Sequence, residues 1–188
     1  MKEAKKRKLP NVASTAEALE ALTKEENIKM FEKYKVFSRT EIVARKHIWI
    51  ETYNKLLEIE ANTLNEMVNA SIVPPGLEYQ QLLASNLTQL VMLKKQAGLS
   101  IDKKALDDQK EHLADVTEKI FYVRRNAKEM VKLMAKAEKL DQEERAHLYF
   151  EELKPLMQHI RKHVDELECV VSDENWVLPK YREMLFIK

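Results

Sequence analysis

Only two glycines, Gly76 and Gly98, occur in the 188 residues, and this scarcity removes a whole class of mechanism. Phosphate loops and dinucleotide turns need several glycines so that backbone amides can approach phosphate closely, and neither can be built here. Cys169 is the single cysteine, so no intrachain disulfide can form. Charge of one sign is also lacking. The 32 basic residues stand against 31 acidic ones, without the excess expected of a nucleic-acid binder. No apolar run approaches the roughly 20 residues needed to cross a bilayer, which predicts a chain that does not span a membrane. The stretch from Met1 to Pro10 has no apolar core that could serve as a secretory signal, so a cytoplasmic address is expected.

What is present is helical periodicity. Charged residues make up 34% of the chain, and no segment alternates with period two, whereas apolar residues recur at spacings of three and four almost throughout. The length suits one domain with a sizeable core. Residues 1–13, with the basic run Lys2 to Lys8, read as a flexible leader, and residues 14–188 as a single helical-bundle domain. Ser14 or Thr15 caps one or two short helices that run to about Tyr34. Ser38-Arg-Thr-Glu41 has the form of a capping box, in which serine hydroxyl and glutamate carboxylate satisfy orphan amides at a helix start. The long helix it opens carries Ile42, Trp49, Tyr53, Leu56, Leu57, Leu64, Met67, Val68 and Ile72 as one apolar stripe. Pro74-Pro75-Gly76 is expected to stop it. A third helix is predicted from Leu77 to Ala97 with Gly98 as its stop, a fourth from Asp102 to about Lys139, and a fifth from Asp141 to Val170 kinked at Pro155. The expected fold is therefore all-α: an antiparallel bundle of three to four long helices, with short N-terminal helices and an apolar C-terminal tail.

Several constellations could carry chemistry, and each has a plainer alternative. His159 and His163, spaced i, i+4, share one helix face as two metal ligands would, but Arg161 and Lys162 surround them and suggest a solvated face. Glu144-Arg-Ala-His147 has the Glu-x-x-His form of di-iron bundles, yet no second copy accompanies it. Both sets remain weak metal candidates, and no metal, cofactor or catalytic residue is assigned. Glu60, beside the stripe of the long helix, is expected to be a partly buried carboxylate held by a structural partner. Cys169 is expected to be a small core residue rather than a nucleophile. The last stretch, from Val171 to Lys188, is denser in apolar and aromatic side chains than a terminus usually is. Trp176, Pro179, Tyr181, Leu185 and Phe186 form a tail that either packs on the bundle or docks on a partner.

Trp176-Val-Leu-Pro-Lys-Tyr-Arg-Glu-Met-Leu-Phe186 closely resembles the terminal segment of type III glutamine synthetases, with Val177 standing where that family has proline. Leu153-Lys-Pro155, His159-Ile-Arg161, His163, Asp165, Leu167 and Glu168 are similar to the family's last long helix. Tyr53, Ile59-Glu60-Ala61, Thr63 and Met67 resemble an inner helix of the same family, and Glu78-Tyr79-Gln80 falls where it has Arg-Tyr-Gln. Leu9-Pro10, Ala18 to Leu22, Phe31-Glu-Lys33 and Val36-Phe37-Ser38 also fit. The resemblance implies a C-terminal helical domain of an enzyme that joins ammonia to glutamate with ATP and divalent cations such as magnesium, in large oligomers. None of the family's ATP, metal or substrate residues falls in this stretch. The implied role is structural or in assembly, with the catalytic region of a glutamine synthetase, or a second copy, as partner. The alternatives are an independent helical interaction module and, behind it, a bundle metal-binding protein.

Overall fold

The structure is a computed structural model that describes residues 3, 6, 7, 12–98 and 100–185, and of these all side chains but those at 181 and 182. Leu9, Pro10 and Phe186, the Tyr181 side chain and most of the expected leader lie outside the described residues. The described chain is all-α and contains no strand. Its helices are α1 (Thr15–Glu20), which continues into a 3-10 turn (Ala21–Thr23), α2 (Glu25–Lys33), α3 (Arg39–Met67), α4 (Val73–Gln96), α5 (Lys103–Ala137), α6 (Gln142–Leu148), α7 (Lys154–Val170) and α8 (Tyr181–Met184). Two π segments, Val68–Ile72 and Tyr149–Leu153, join α3 to α4 and α6 to α7.

The helix starts follow from local chemistry. The Ser38 amide donates to Glu41 Oε2 at 2.8 Å and the Ser38 hydroxyl faces the Glu41 amide at 3.4 Å, the reciprocal pairing of a capping box. The Ser38 amide, and after it the Ser38 hydroxyl, which donates to the same Glu41 oxygen at 2.8 Å, hold the Glu41 carboxyl below its ordinary range. Ser14 accepts from the Glu17 amide, and Asp141 accepts from the amides of Glu143 and Glu144, each at 2.9 Å. Gly98, at φ +65°, adopts the left-handed conformation that ends α4.

The prolines behave differently from expectation. Pro74 and Pro75 do not end a helix; they occupy the first turn of α4, where a missing amide costs nothing. The preceding turn widens so that the Val73 amide reaches back five residues to the Val68 carbonyl. The same device precedes Pro155, where the Lys154 amide bonds the Tyr149 carbonyl. A π turn thus absorbs the conflict between the proline ring and the preceding carbonyls, in place of a stop at Pro74 and a bare kink at Pro155.

The chain divides into two compact units. One comprises Met1–Glu60 and Leu133–Pro155, and its core includes Ala16, Leu19, Ile50 and Ala146, with Leu22 and Tyr53 against them. The other comprises Ala61–Lys132 and Leu156–Lys188. In it α4 and α5 run antiparallel, for Gln80 bonds Thr117 while Gly76 lies against Ile120. The helices α5 and α7 also run antiparallel, since Tyr122 stacks on His163 at 3.8 Å and Lys119 meets Glu166 at 3.7 Å. Val116, Ile120, Val123, Met130, Ile160 and Leu167 are buried there.

Candidate functional site

The most densely bonded polar cluster of the first unit gathers around Arg145 on α6. Its Nε donates to the Ala137 carbonyl at 3.0 Å, one terminal nitrogen to the Glu138 carbonyl at 3.1 Å, and the other to Glu58 Oε1 at 3.2 Å. The guanidinium therefore closes the C-terminus of α5, where carbonyls have no partner within the helix and the macrodipole favours a cation. The fully buried Tyr149 donates its hydroxyl to the same Glu58 oxygen at 3.1 Å. Burial, followed by the nearby Glu58 charge, pushes the Tyr149 phenol well above its ordinary pKa. Alongside, Lys46 pairs with Glu143 at 2.8 Å, and buried Asn54 donates to the Gln142 carbonyl and side chain. His47, Ile50, Asp141, Gln142 and Glu143 line a shallow cleft open to solvent. The charged members of this cluster hold one another and the helix ends, which is what a positioning network does.

Glu60 is not the held carboxylate. It is exposed, and Glu58 occupies that role. Two residues along a helix turn a side chain by about 200°, so a small error in where the buried face lies exchanges the two. Glu60 acts only at a distance: its charge adds to burial in raising the Tyr53 phenol.

The metal candidates do not converge. His163 Nδ1 donates to the His159 carbonyl at 2.8 Å and its ring stacks on Tyr122, while His159 faces solvent. Elsewhere on the chain, His147 approaches Glu20 at 3.6 Å and Glu144 is exposed. Among the described residues, no group of three His, Cys, Asp or Glu side chains is placed to hold a metal ion. Cys169, expected in the core, is exposed.

The tail divides in two. Trp176, expected either to pack on the bundle or to dock on a partner, is only 6% exposed and belongs to the second unit. The turn that carries it is fastened at both ends. Lys180 Nζ donates to the Val171 carbonyl at 2.8 Å and pairs with Asp173 at 2.8 Å, and Asn175 reaches Glu78 on α4. Pro179 is exposed, and beyond it Met184 and Leu185 project outward, Leu185 being 78% exposed.

A feature that periodicity alone conceals lies on α3. Ile42, Lys46, Ile50, Asn54 and Leu57 form its buried face. Trp49 and Leu56, expected on that face, lie instead with Ile48 and Ile59 on a second apolar stripe that faces solvent. A low net amphipathicity in so apolar a helix is the signal that could have revealed two stripes.

Known proteins extend these observations. A family profile described as the glutamine synthetase C-terminal domain matches residues 1–91. Alignments with whole relatives cover nearly all of the chain. It is 30% identical over 187 residues to the type-3 glutamine synthetase of Dictyostelium discoideum, 29% over 187 residues to a glutamine synthetase of Bacteroides fragilis, and 26% over 189 residues to one of Butyrivibrio fibrisolvens. These cover 98 to 99% of this chain and 25 to 26% of each relative, so the chain spans about a quarter of the length of the curated relatives it matches. Among the described residues no helix is long and apolar enough to cross a membrane. Over residues 1–91 the chain is thus similar to the glutamine synthetase C-terminal domain, and over nearly its whole length to one quarter of these enzymes.

Proposed function

We propose that this chain serves as the C-terminal helical domain of a type III glutamine synthetase, with a structural or assembly role and no active site of its own. The observation that carries this is the match of nearly the whole chain to one quarter of enzymes so named. In this reading the joining of ammonia to glutamate, with its ATP and divalent cations such as magnesium, belongs to the other three quarters of the enzyme. The polar groups around Arg145 are engaged with one another and with helix ends, which supports the division of labour. The stretch 14–188 acts as one folding domain, since each boundary between its two units falls inside a continuous helix. The end of the chain, from Tyr181 through the exposed Leu185 to Phe186, adds a docking element. The working compartment is cytoplasmic, and the partner is the catalytic region of the enzyme.

Two measurements test this. The purified chain, given glutamate, ammonia, ATP and magnesium, should form no glutamine. Added to a type-3 glutamine synthetase of Dictyostelium discoideum shortened by the stretch that aligns with this chain, it should cosediment with the enzyme and restore assembly. Glutamine formation by the chain alone, or self-association that ignores the shortened enzyme, would overturn the proposal.

A further inference from the structure

The outer stripe of α3 is an exposed apolar surface of the first unit that nothing described so far explains. Ile48, Trp49, Leu56 and Ile59 are each between 45% and 61% exposed, and they follow one another over three turns, about 17 Å of helix. The single polar side chain between them, Thr52, donates its hydroxyl to the Ile48 carbonyl at 2.8 Å and so leaves the stripe without a free donor. Lys55, at its edge, is engaged with Glu58 at 3.4 Å. A helix apolar on both faces belongs in the interior of an assembly rather than at its surface. The buried face is already covered by this chain, so the second stripe calls for another polypeptide.

The size of the stripe selects among occupants. Its side chains expose on the order of 400 to 500 Å². A stable association between separate molecules takes about 800 Å² from each partner, so two copies meeting through this stripe alone would fall short. Contact with the rest of the enzyme need not rest on this stripe alone, since the docking element proposed at the exposed Leu185 adds to it, and contacts between domains of one chain begin at about 600 Å² in total. The relatives carry three quarters of their length outside the matched region. With no net charge on the stripe, the covering surface is apolar. We propose that this outer face of α3, centred on Trp49 and Leu56, is where the remaining polypeptide of a type III glutamine synthetase seats. The inference rests on the function proposed above and adds to it the face that makes the contact.

The test uses the full 188-residue chain and the shortened Dictyostelium discoideum enzyme, with binding followed by sedimentation. The double variant Ile48→Ser, Leu56→Ser removes the stripe without touching the buried face, and Leu82→Ser, Met92→Ser changes exposed apolar residues of α4 as a control. Both variants should keep the helical signal and melting midpoint of the unaltered chain. The stripe variant is expected to bind at least tenfold more weakly, and the control to bind as the unaltered chain does. Equal binding by the stripe variant would overturn this inference while leaving the proposed function standing. No binding by the unaltered chain would remove both. A self-associated chain that the stripe variant returns to monomer would assign the surface to a second copy and overturn the occupant named here.

Discussion

Replacing Arg145 by alanine should be among the most damaging single substitutions in the first unit. The side chain is 13% exposed and its partner Glu58 21% exposed, so both charges sit largely out of water. Breaking a buried pair by removing one partner costs about 3 to 5 kcal/mol, because the remaining charge is left uncompensated. Here Glu58 keeps the Tyr149 hydroxyl and some solvent, which places the charge term near the lower end, and the Ala137 and Glu138 carbonyls lose their donor as well. A total of about 3 kcal/mol corresponds to a fall of roughly 6 to 12 °C in the melting midpoint of a chain this long. Arg145→Lys should recover only part of it, since an ammonium cannot serve carbonyls and a carboxylate from one planar fork. Thermal unfolding followed by circular dichroism, with Glu58→Gln completing a double-mutant cycle, measures both the cost and the coupling. A loss under about 1 kcal/mol, or a coupling near zero, would refute the claim that Arg145 ties α3, α5 and α6 together.

Three further outcomes are expected. Trp176→Ala should lower stability by about 3 to 5 kcal/mol, as truncation of a buried aromatic does, reduced slightly because its indole Nε1 lacks a partner among the described residues; an unchanged melting midpoint would mean that the tail is not seated on the second unit. The Tyr149 phenol holds its proton more tightly when folded, so its contribution is intact below about pH 10, where the unfolded phenol begins to ionise, and is lost as pH rises further. Tyr149→Phe should flatten part of the alkaline fall in melting midpoint, leaving the part due to Tyr53, and identical slopes would count against this assignment. Gly76→Ala would place a methyl 3.0 Å from Ile120 Cγ1 and 3.2 Å from its Cδ1. Overpacking of about 1 to 3 kcal/mol should outweigh the helix-propensity gain of about 0.5 to 1, and Ile120→Val in the same chain should relieve part of it; a more stable Gly76→Ala would show that Ile120 yields freely.

Signals carried by neighbouring residues are legible in the sequence itself. Ser14, Ser38 with Glu41 and Asp141 mark helix starts because the bonds that fix those starts form within three residues, and Gly98 marks an end through its own backbone conformation. What escapes a linear reading is which side of a helix meets another. Glu58 and Glu60, and the stripes holding Leu57 and Leu56, differ by one or two residues in sequence and by up to half a turn in space. Only packing decides between them. Cys169 lies outside the core for the same reason, and the seat of Trp176 is equally hidden, since the bond from Lys180 to Val171 that fastens its turn joins residues nine apart. The stop expected at Pro74 does not occur because a widened turn can satisfy a proline that a regular one cannot. The likeness to type III glutamine synthetases is legible, because it rests on the order of residues along almost the whole chain rather than on any one face.

The two widened turns, Val68–Ile72 and Tyr149–Leu153, also keep count of residues. Each holds about one residue more than a regular turn, so everything beyond it is rotated by about 100° from where an uninterrupted helix would leave it. Removing one residue from 68–72 would take away the slack that accommodates Pro74 and Pro75 and, as the turn tightened, would swing Gly76 away from Ile120 and Gln80 away from Thr117 together. A deletion here amounts to a change of gearing for the whole of α4, whereas one in the loop after Gly98 would leave every face in place. Tolerance to length change along this chain is thus set by the phase of its helices.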